Sequence, residues 1–297
     1  MAQTFNRKVF RKRRWRLRLC AALALLCGAC AATPPPDPSG PRPGEPPYPV
    51  SLTESSERRQ ATLTAWERLL AEQGVNDAPA PELQPVTAAV RSLPALSGAP
   101  LFLPKVGDPA SQDKQGWEEA TTESLRRFIN ANSRLFGAEP QQLSLVLLTD
   151  AADGTKRARY QQRPFRYPLA NGFGELEISF TNDRRILAIN STCIPEIEQL
   201  QRAGAGIRPR LSSDEVARRM QGRAFTYTDT ASNRQSYTIQ PNDSVIVRQL
   251  VVYPMLRSDQ PAALDFHLAW EVFVNREPKR VVYLDAITDE IIAVAPV

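Results

Sequence analysis

The chain contains a single histidine, His267, and this limits the catalytic and metal sites that it could build. Protein zinc sites combine several His and Cys ligands, and the zinc-peptidase motif HExxH requires two histidines on one helix. A Ser-His-Asp triad would have to use His267, and the nucleophile elbow G-x-S-x-G does not occur in the sequence. In DFHLAWEV, strand alternation places His267 opposite the apolar face, together with Asp265 and Glu271. The sequence therefore predicts a half-exposed strand histidine, no metal site and no catalytic residues.

Paired carboxylates and short glycine motifs are the other candidates for chemistry. The pairs Glu175/Glu177 and Asp285/Asp289 lie on predicted strands and turns, where such side chains are usually solvated. The motifs GAG and GFG lack the further Gly or the Lys-Ser/Thr of a phosphate-binding loop. The sequence predicts no cofactor, and it favours a binding or structural protein over an enzyme.

The chain has four cysteines, and only Cys193 lies beyond residue 30. No disulfide can therefore form within the rest of the chain, although the destination predicted below is oxidising. Cys193 shares strand parity with Leu187 and Ile189, which predicts a buried structural thiol rather than a reactive one.

Residues 1–29 predict a lipoprotein-type bacterial signal peptide. A basic segment precedes a short apolar run that ends in small residues. The apolar run, residues 19–29, is about half as long as a bilayer-spanning helix requires. The leader also explains the net charge of +5, because its eight basic side chains leave 29 basic and 32 acidic groups elsewhere. That balance argues against a nucleic-acid partner.

The sequence CGAC, ending at Cys30, resembles a bacterial lipobox, in which a cysteine after a small residue receives the lipid. Cys27 stands where the lipobox prefers Leu, Val or Ile, and Ala29-Cys30-Ala31 also satisfies the rule for ordinary signal cleavage. Residues 30–52 form a Pro-rich tether, which is useful if the chain is anchored. We therefore predict lipidation at Cys30 and a location in the bacterial envelope, at the outer membrane or in the periplasm, with secretion as the alternative.

The segment 53–112 is predicted to contain one helix followed by irregular chain. Apolar residues recur at helical spacing over 54–73, and Gly74 supplies the stop. The rest is rich in proline, with short strands predicted at 86–92 and 101–106.

From residue 113 the pattern changes to a helix followed by antiparallel strands. The helix covers about 114–136, and Gly137 lies where a left-handed cap belongs. Strand-like segments then form two hairpins, around Asp153-Gly154 and around Asn182-Asp183.

The same order repeats after the linker RAGAGIRPR. Ser212 and Glu215 form a capping box for a helix at 213–221. Five strand segments follow: AFTYT, SYTIQ, DSVIVRQLVVYP, FHLAWEVFVN and the hairpin RVVYLDA–ITD–EIIAV. The sequence thus predicts an α+β fold with two modules, each a helix packed on an antiparallel sheet.

Residues 113–202 resemble the propeptide (FTP) domain of fungalysin and thermolysin peptidases. The resemblance rests on FINANSRLFGAEPQQLSL and on ARYQQRPFRYPLANGFGELEISFTNDRRILAINSTCIP. It implies partner binding through the following residues: Tyr160, Gln161, Gln162, Gly172, Gly174 and Glu175. FGEL is one glycine shorter than the FGGEV of the family.

Residues 208–297 are similar to the PepSY domain that follows FTP in these propeptides. LSSDEVARRM, LVVYP, LAWEVFV and VVYLDAITDEIIAV carry this resemblance. Asp289-Glu290 stands where the family has a turn glycine, which predicts an altered turn. The sequence ends at Val297 with no peptidase domain after the propeptide-like part.

Together these resemblances imply a non-enzymatic protein that binds a thermolysin-type metallopeptidase in trans and inhibits or chaperones it. Two alternatives stay open: a tethered envelope scaffold without a peptidase partner, and the propeptide half of a split or truncated metallopeptidase.

Overall fold

The computed structural model describes residues 46–76, 78–94, 100–107, 114–163, 165–229, 231–257 and 259–297. The predicted signal peptide, Cys30 and most of the predicted tether lie outside these residues. The chain divides into two units, and all described residues belong to the second, Pro41–Val297. Among the described residues, no helix is long and apolar enough to cross a membrane.

The first of two modules packs three helices against a four-stranded antiparallel sheet. The helices are α1 (Ser56–Gln73), α2 (Lys114–Ala131) and α3 (Ser133–Phe136). The strands are β4 (Leu143–Asp150), β5 (Thr155–Gln162), β6 (Glu175–Thr181) and β7 (Ile186–Ser191), in the order β4-β5-β6-β7. A separate pair, β2 (Glu82–Leu83) and β3 (Val90–Ser92), lies between α1 and α2 in the chain.

Local signals explain where α1 begins and ends. The Ser55 side chain accepts a hydrogen bond from the Arg58 amide, and Gly74 ends the helix in the left-handed conformation. Trp66 and Leu69 point into the core, where they join Phe128 of α2 and other buried residues. The inward-facing residues of the four-stranded sheet complete this core: Ala158, Tyr160, Leu176, Ile178, Phe180 and Ile189.

The second module is built around one long strand, β11. Its elements are β1 (Val50–Thr53), α4 (Ile197–Gly204), α5 (Ser213–Met220), β8 (Ala224–Thr228), β9 (Arg234–Thr238), β10 (Ser244–Leu256), β11 (Ala263–Asn275), β12 (Arg280–Asp285) and β13 (Ile291–Pro296). β10 pairs with β11 along its whole length, while β1 and β12 share the other side of β11 and β13 extends the sheet beyond β12. β8 and β9 form a separate hairpin.

Helix α5 covers the second core as the sequence predicts. Its capping box is formed, because the Ser212 hydroxyl accepts from the Glu215 amide while the Glu215 carboxylate accepts from the Ser212 amide. Val216 and Met220 of α5 are buried against Val272 and Leu284 of the sheet. The predicted α+β fold, in which helices pack on antiparallel sheets, is confirmed.

Three boundaries differ from the prediction. Val50–Thr53, which the sequence gives partly to the tether, is a strand because it hydrogen-bonds to β11. Helix α4 occupies 197–204, and its last three residues belong to the segment RAGAGIRPR that the sequence predicts as a linker. Helix α1 is predicted to lie in a separate segment, yet it shares its core with the four-stranded sheet. In each case the element is held by contacts with residues far away in the sequence.

The predicted short strands in the irregular segment are only partly formed. Of 86–92, only Val90–Ser92 is a strand. Of 101–106, Phe102 makes an isolated bridge to Arg185 at the edge of β7. Short segments of this kind carry too little periodicity to fix their bounds from sequence.

Candidate functional site

The six residues predicted to bind a partner lie around the end of β5 and the start of β6. The side chains of Tyr160 and Gln162 are buried. Gln161 and Glu175 are half-buried and are paired with each other across the two strands. The structure therefore brings these residues together. Only Gln161, Gly172 and Glu175 among them are accessible to a partner.

Gln162 has a structural role that accounts for its burial. Its side-chain Nε2 donates to the Ile194 carbonyl at 2.9 Å, and its Oε1 accepts from the Ile194 amide at 2.8 Å. Its own backbone amide donates to the Gly174 carbonyl at 2.7 Å. These bonds fasten the end of β5 to the segment that follows β7.

Thr192 closes the same group of contacts from the other side. Its hydroxyl donates to the Gly172 carbonyl at 2.7 Å and accepts from the Glu175 amide at 3.0 Å. The Gly174 amide donates to the Thr192 carbonyl at 2.9 Å. The motif resembling the propeptide family thus holds both ends of the loop between β5 and β6.

That loop connects the two modules of the protein. Leu169 forms a parallel bridge with Val252 of β10, and the Ala170 amide donates to the Val252 carbonyl at 2.9 Å. Asn171 Nδ2 donates to the Pro254 carbonyl at 3.1 Å. The loop therefore covers part of the outer edge of β10.

Strand β4 leaves a free edge on the four-stranded sheet. It pairs with β5 alone among the strands that the structure describes. Two apolar side chains are exposed on it, Val146 at 43% and Leu147 at 42%. A bulge between Leu145 and Leu147 lies at the same place. Unpaired backbone groups beside exposed apolar side chains are the features that an added strand uses.

The rest of β4 is held in position by the core and by an ion pair at its end. Leu145 and Leu148 pack against the first core. Asp150, the last residue of β4, pairs with the ammonium group of the buried Lys156. That ammonium group lies 4.0 Å from the centre of the Trp117 ring. The free edge is therefore a fixed feature of the fold.

A signal for this edge was present in the sequence. In LSLVLLTD the four consecutive apolar residues 145–148 break strand alternation, so that they cannot all face one core. Which of them is exposed depends on the bulge, and alternation does not predict a bulge.

His267 and Asp285 contact each other, and Asp285 differs from its predicted environment. Only 13% of the His267 side chain is exposed, and Asp285 is completely buried rather than solvated. His267 Nδ1 lies 2.8 Å from Asp285 Oδ2. The Tyr48 hydroxyl donates to the same oxygen at 2.7 Å and accepts from the Leu268 amide at 2.9 Å. His267 is half-buried. The prediction of a solvated aspartate is wrong, because Asp285 is enclosed by Tyr48, His267 and the turn after β12.

The charge of Asp285 is stabilised despite its burial. Burial alone would raise the pKa of Asp285, but hydrogen bonds from His267, the Thr288 amide, Tyr48 and the Ile287 amide hold this pKa below its usual value. Burial, followed by the charge of Asp285, raises the pKa of Tyr48.

The arrangement of these three side chains favours a structural role. The imidazole and the phenol both bind one carboxylate, whose other oxygen accepts from the amides of residues 287 and 288. His267 Nε2 is buried and has no hydrogen-bond partner in the described part of the chain. The group ties the chain before β1 to β11 and to the turn after β12.

No group of three or more His, Cys, Asp or Glu residues within the described ranges could hold a metal ion. Cys193 is a buried free thiol, as the sequence predicts. Burial raises the pKa of Cys193 to about 12.

Asp289 lies in the turn for which the sequence predicts an alteration, and it keeps the backbone conformation of a turn glycine. Asp289 adopts a positive φ of 64°, the conformation for which a turn glycine is usually used. Its carboxylate pairs with Arg219 at 2.7 Å and with Arg223 at 2.8 Å. Asp289 thus joins the β12–β13 turn to α5 and to the residue before β8.

Comparison with solved structures finds similarity in fold. The chain is similar to the C-terminal domain of YpeB from Bacillus megaterium at 11% sequence identity and a TM-score of 0.29, over 82% of this chain and 98% of that one. No family model and no curated protein matches the sequence. The resemblance to FTP and PepSY domains therefore stays a prediction from the motifs.

Proposed function

We propose that this chain is a non-enzymatic protein of the bacterial envelope that binds a thermolysin-type metallopeptidase in trans along the free edge of β4. Binding would inhibit the peptidase or assist its folding, as the resemblance to a propeptide implies. The observation that carries the proposal is the edge of β4, which no other described strand pairs with and on which Val146 and Leu147 are exposed.

Addition of a strand would use both the backbone and the side chains of β4. The outward N–H and C=O groups of an edge strand supply the hydrogen bonds, and the exposed side chains supply specificity. Leu147 lies opposite Arg159 of β5, and Arg159 is exposed. A partner strand with apolar and acidic side chains would suit this surface.

Anchoring in the envelope rests on the sequence of the leader. Lipidation at Cys30 would attach the chain to the membrane, and the Pro-rich segment would separate the folded part from it.

The test is a peptidase assay with the full-length protein. Thermolysin is mixed with increasing amounts of the protein, and cleavage of a fluorogenic peptide is followed. We expect saturable inhibition. Absence of inhibition across several thermolysin-type peptidases, together with no complex by size-exclusion chromatography and a folded circular dichroism spectrum, would contradict the proposal and favour the scaffold alternative.

A matched pair of variants tests the surface. Leu147→Lys places a charge on the free edge, and Leu187→Lys places the same charge at a residue of β7 with similar exposure, 44%. We expect inhibition to weaken about tenfold or more with Leu147→Lys, an effect of about 1.4 kcal/mol, and to stay within about twofold with Leu187→Lys. An equal loss with both variants would place the interface elsewhere.

A further inference from the structure

A cavity of about 330 Å³ lies between the β5–β6 loop, α4 and the large sheet. Small-molecule sites typically measure about 300–1,000 Å³ and are common where domains meet. The lining includes Val252 and Phe266 of the sheet and Leu200 of α4, which belong to one buried hydrophobic cluster. Phe165 and Tyr167 of the loop also line the cavity and pack against this cluster.

Of the Tyr48 and His267 side chains in the wall, His267 Nε2 is the polar atom that has no hydrogen-bond partner among the described residues. The Tyr48 hydroxyl binds Asp285 and the Leu268 amide, and His267 Nδ1 binds Asp285. A ligand that needs many hydrogen bonds would find few partners here. The cavity therefore suits a hydrocarbon group, whose transfer from water to an apolar site is favourable.

Two cationic side chains, Arg166 and Arg208, also line the cavity, and both are exposed to solvent. The Arg166 guanidinium lies 5.6 Å from the centre of the Tyr167 ring. Arg208 Nη1 donates to the backbone carbonyls of Ala205 and Ile207 at 2.8 and 2.9 Å. Neither guanidinium has a carboxylate within 4.0 Å among the residues that the structure describes. An anionic group beside the cavity would be bound by charge-assisted hydrogen bonds.

We infer that this cavity binds a long-chain fatty acid, with the hydrocarbon chain inside and the carboxylate at Arg166 and Arg208. The inference combines an apolar wall with a cationic rim, and each selects one half of the ligand. It concerns a different surface from the β4 edge, so a peptidase assay and a fatty-acid assay can fail independently.

The test uses cis-parinaric acid, a polyene fatty acid whose fluorescence rises in an apolar environment, and the full-length protein freed of detergent and lipid. We expect saturable binding of one probe per chain, displaced by palmitate and displaced about tenfold less well by methyl palmitate, which lacks the charge. Absence of saturable binding, or equal displacement by the two competitors, would overturn the inference.

A substitution at the cavity wall tests the location. Gly204 lines the cavity at the end of α4, and a Cβ added there would have Val50 Cγ2 at 4.0 Å as its nearest neighbour. Gly204→Leu should therefore place a side chain in the cavity and weaken binding about tenfold or more. Ala203→Leu, on the exposed side of the same helix, is the matched control and should bind as the unaltered protein does.

The charged rim is tested separately by the double variant Arg166→Gln/Arg208→Gln. It should lose about tenfold in affinity for palmitate while its affinity for methyl palmitate stays within about twofold. Thermal unfolding by circular dichroism checks that all variants are folded. Unchanged palmitate binding in folded Gly204→Leu and in the folded double variant would contradict the proposed site.

Discussion

The side-chain amide of Gln162 makes two hydrogen bonds with the backbone of Ile194, one as donor at 2.9 Å and one as acceptor at 2.8 Å. Both residues are buried, and 32 positions separate them in the chain. A side-chain amide used in this way replaces the strand pairing that the backbone of Ile194 lacks. The motif YQQ, which suggests partner recognition by resemblance, therefore contains a residue that fastens the fold.

Replacing Gln162 by Met should destabilise the protein by about 2–3 kcal/mol, because Met keeps the length of the side chain and leaves the buried N–H and C=O of Ile194 without partners. The neighbouring half-exposed residue provides the control, and Gln161→Met should change stability by less than about 0.5 kcal/mol. Urea unfolding followed by circular dichroism measures both. Equal effects of the two variants would show that the Ile194 contacts contribute little.

The elements that sequence predicts well are those defined by neighbouring residues. The capping box of Ser212 and Glu215 and the turn at Asp153-Gly154 each lie within a few positions, and each occurs where it is expected. The contacts that define the sites are of another kind. Tyr48 reaches Asp285 across 237 positions, and no periodicity or turn signal connects residues that far apart. The environment of Asp285 was therefore not predictable, although its place at the end of a strand was.

The two glycines of the β5–β6 loop should respond differently to substitution by alanine. Both have positive φ, 69° at Gly172 and 78° at Gly174, so each Ala variant should lose about 1–2 kcal/mol through backbone strain. A Cβ at Gly172 meets no atom within 4 Å, whereas one at Gly174 would lie 2.6 Å from Leu169 Cδ1. Gly174→Ala should therefore cost about 1 kcal/mol more, because Leu169 must move.

Urea unfolding of the two glycine variants gives this difference directly, and Gly172→Ala serves as the control for backbone strain alone. Because Leu169 contacts Val252, Gly174→Ala should also increase hydrogen exchange at the Val252 amide. Identical stabilities for the two variants would show that Leu169 moves without cost.

Replacing Asp285 by Asn should destabilise the protein by about 2–3 kcal/mol at pH 7, since the charged hydrogen bonds to His267 and Tyr48 are weakened in the interior. The effect should depend on pH. The pKa of Asp285 is lowered in the folded state, so its contribution is fully present above the unfolded pKa of about 3.9 and is lost as pH falls through the lower folded value. Urea unfolding from pH 3 to pH 7 should therefore show the two proteins converging in stability only below about pH 4.

Tyr48→Phe provides a narrower comparison at the same group. It removes the hydrogen bond to Asp285 and the one from the Leu268 amide, and it should lower the free energy of unfolding by about 1–2 kcal/mol while leaving the ring in place. If the free energies of unfolding of Asp285→Asn and of the unaltered protein differed by the same amount from pH 7 down to pH 3, folding would not lower the pKa of Asp285.

The Cys193 thiol should be unreactive in the folded protein. Burial raises its pKa to about 12, so the thiolate that reacts with iodoacetamide is scarce at pH 8. We expect labelling at Cys193, read by mass spectrometry of its peptide, to be at least about a hundredfold slower in the native protein than in urea, because a shift of more than two pKa units changes the thiolate fraction by that factor. The raised pKa also stabilises the fold below the unfolded value of about 8.5, and this contribution is lost as pH rises from there through 12. Cys193→Ala should consequently lose less stability than the unaltered protein as the pH rises above 8.5. Labelling of the native protein as fast as in urea would mean that this part of the core opens readily.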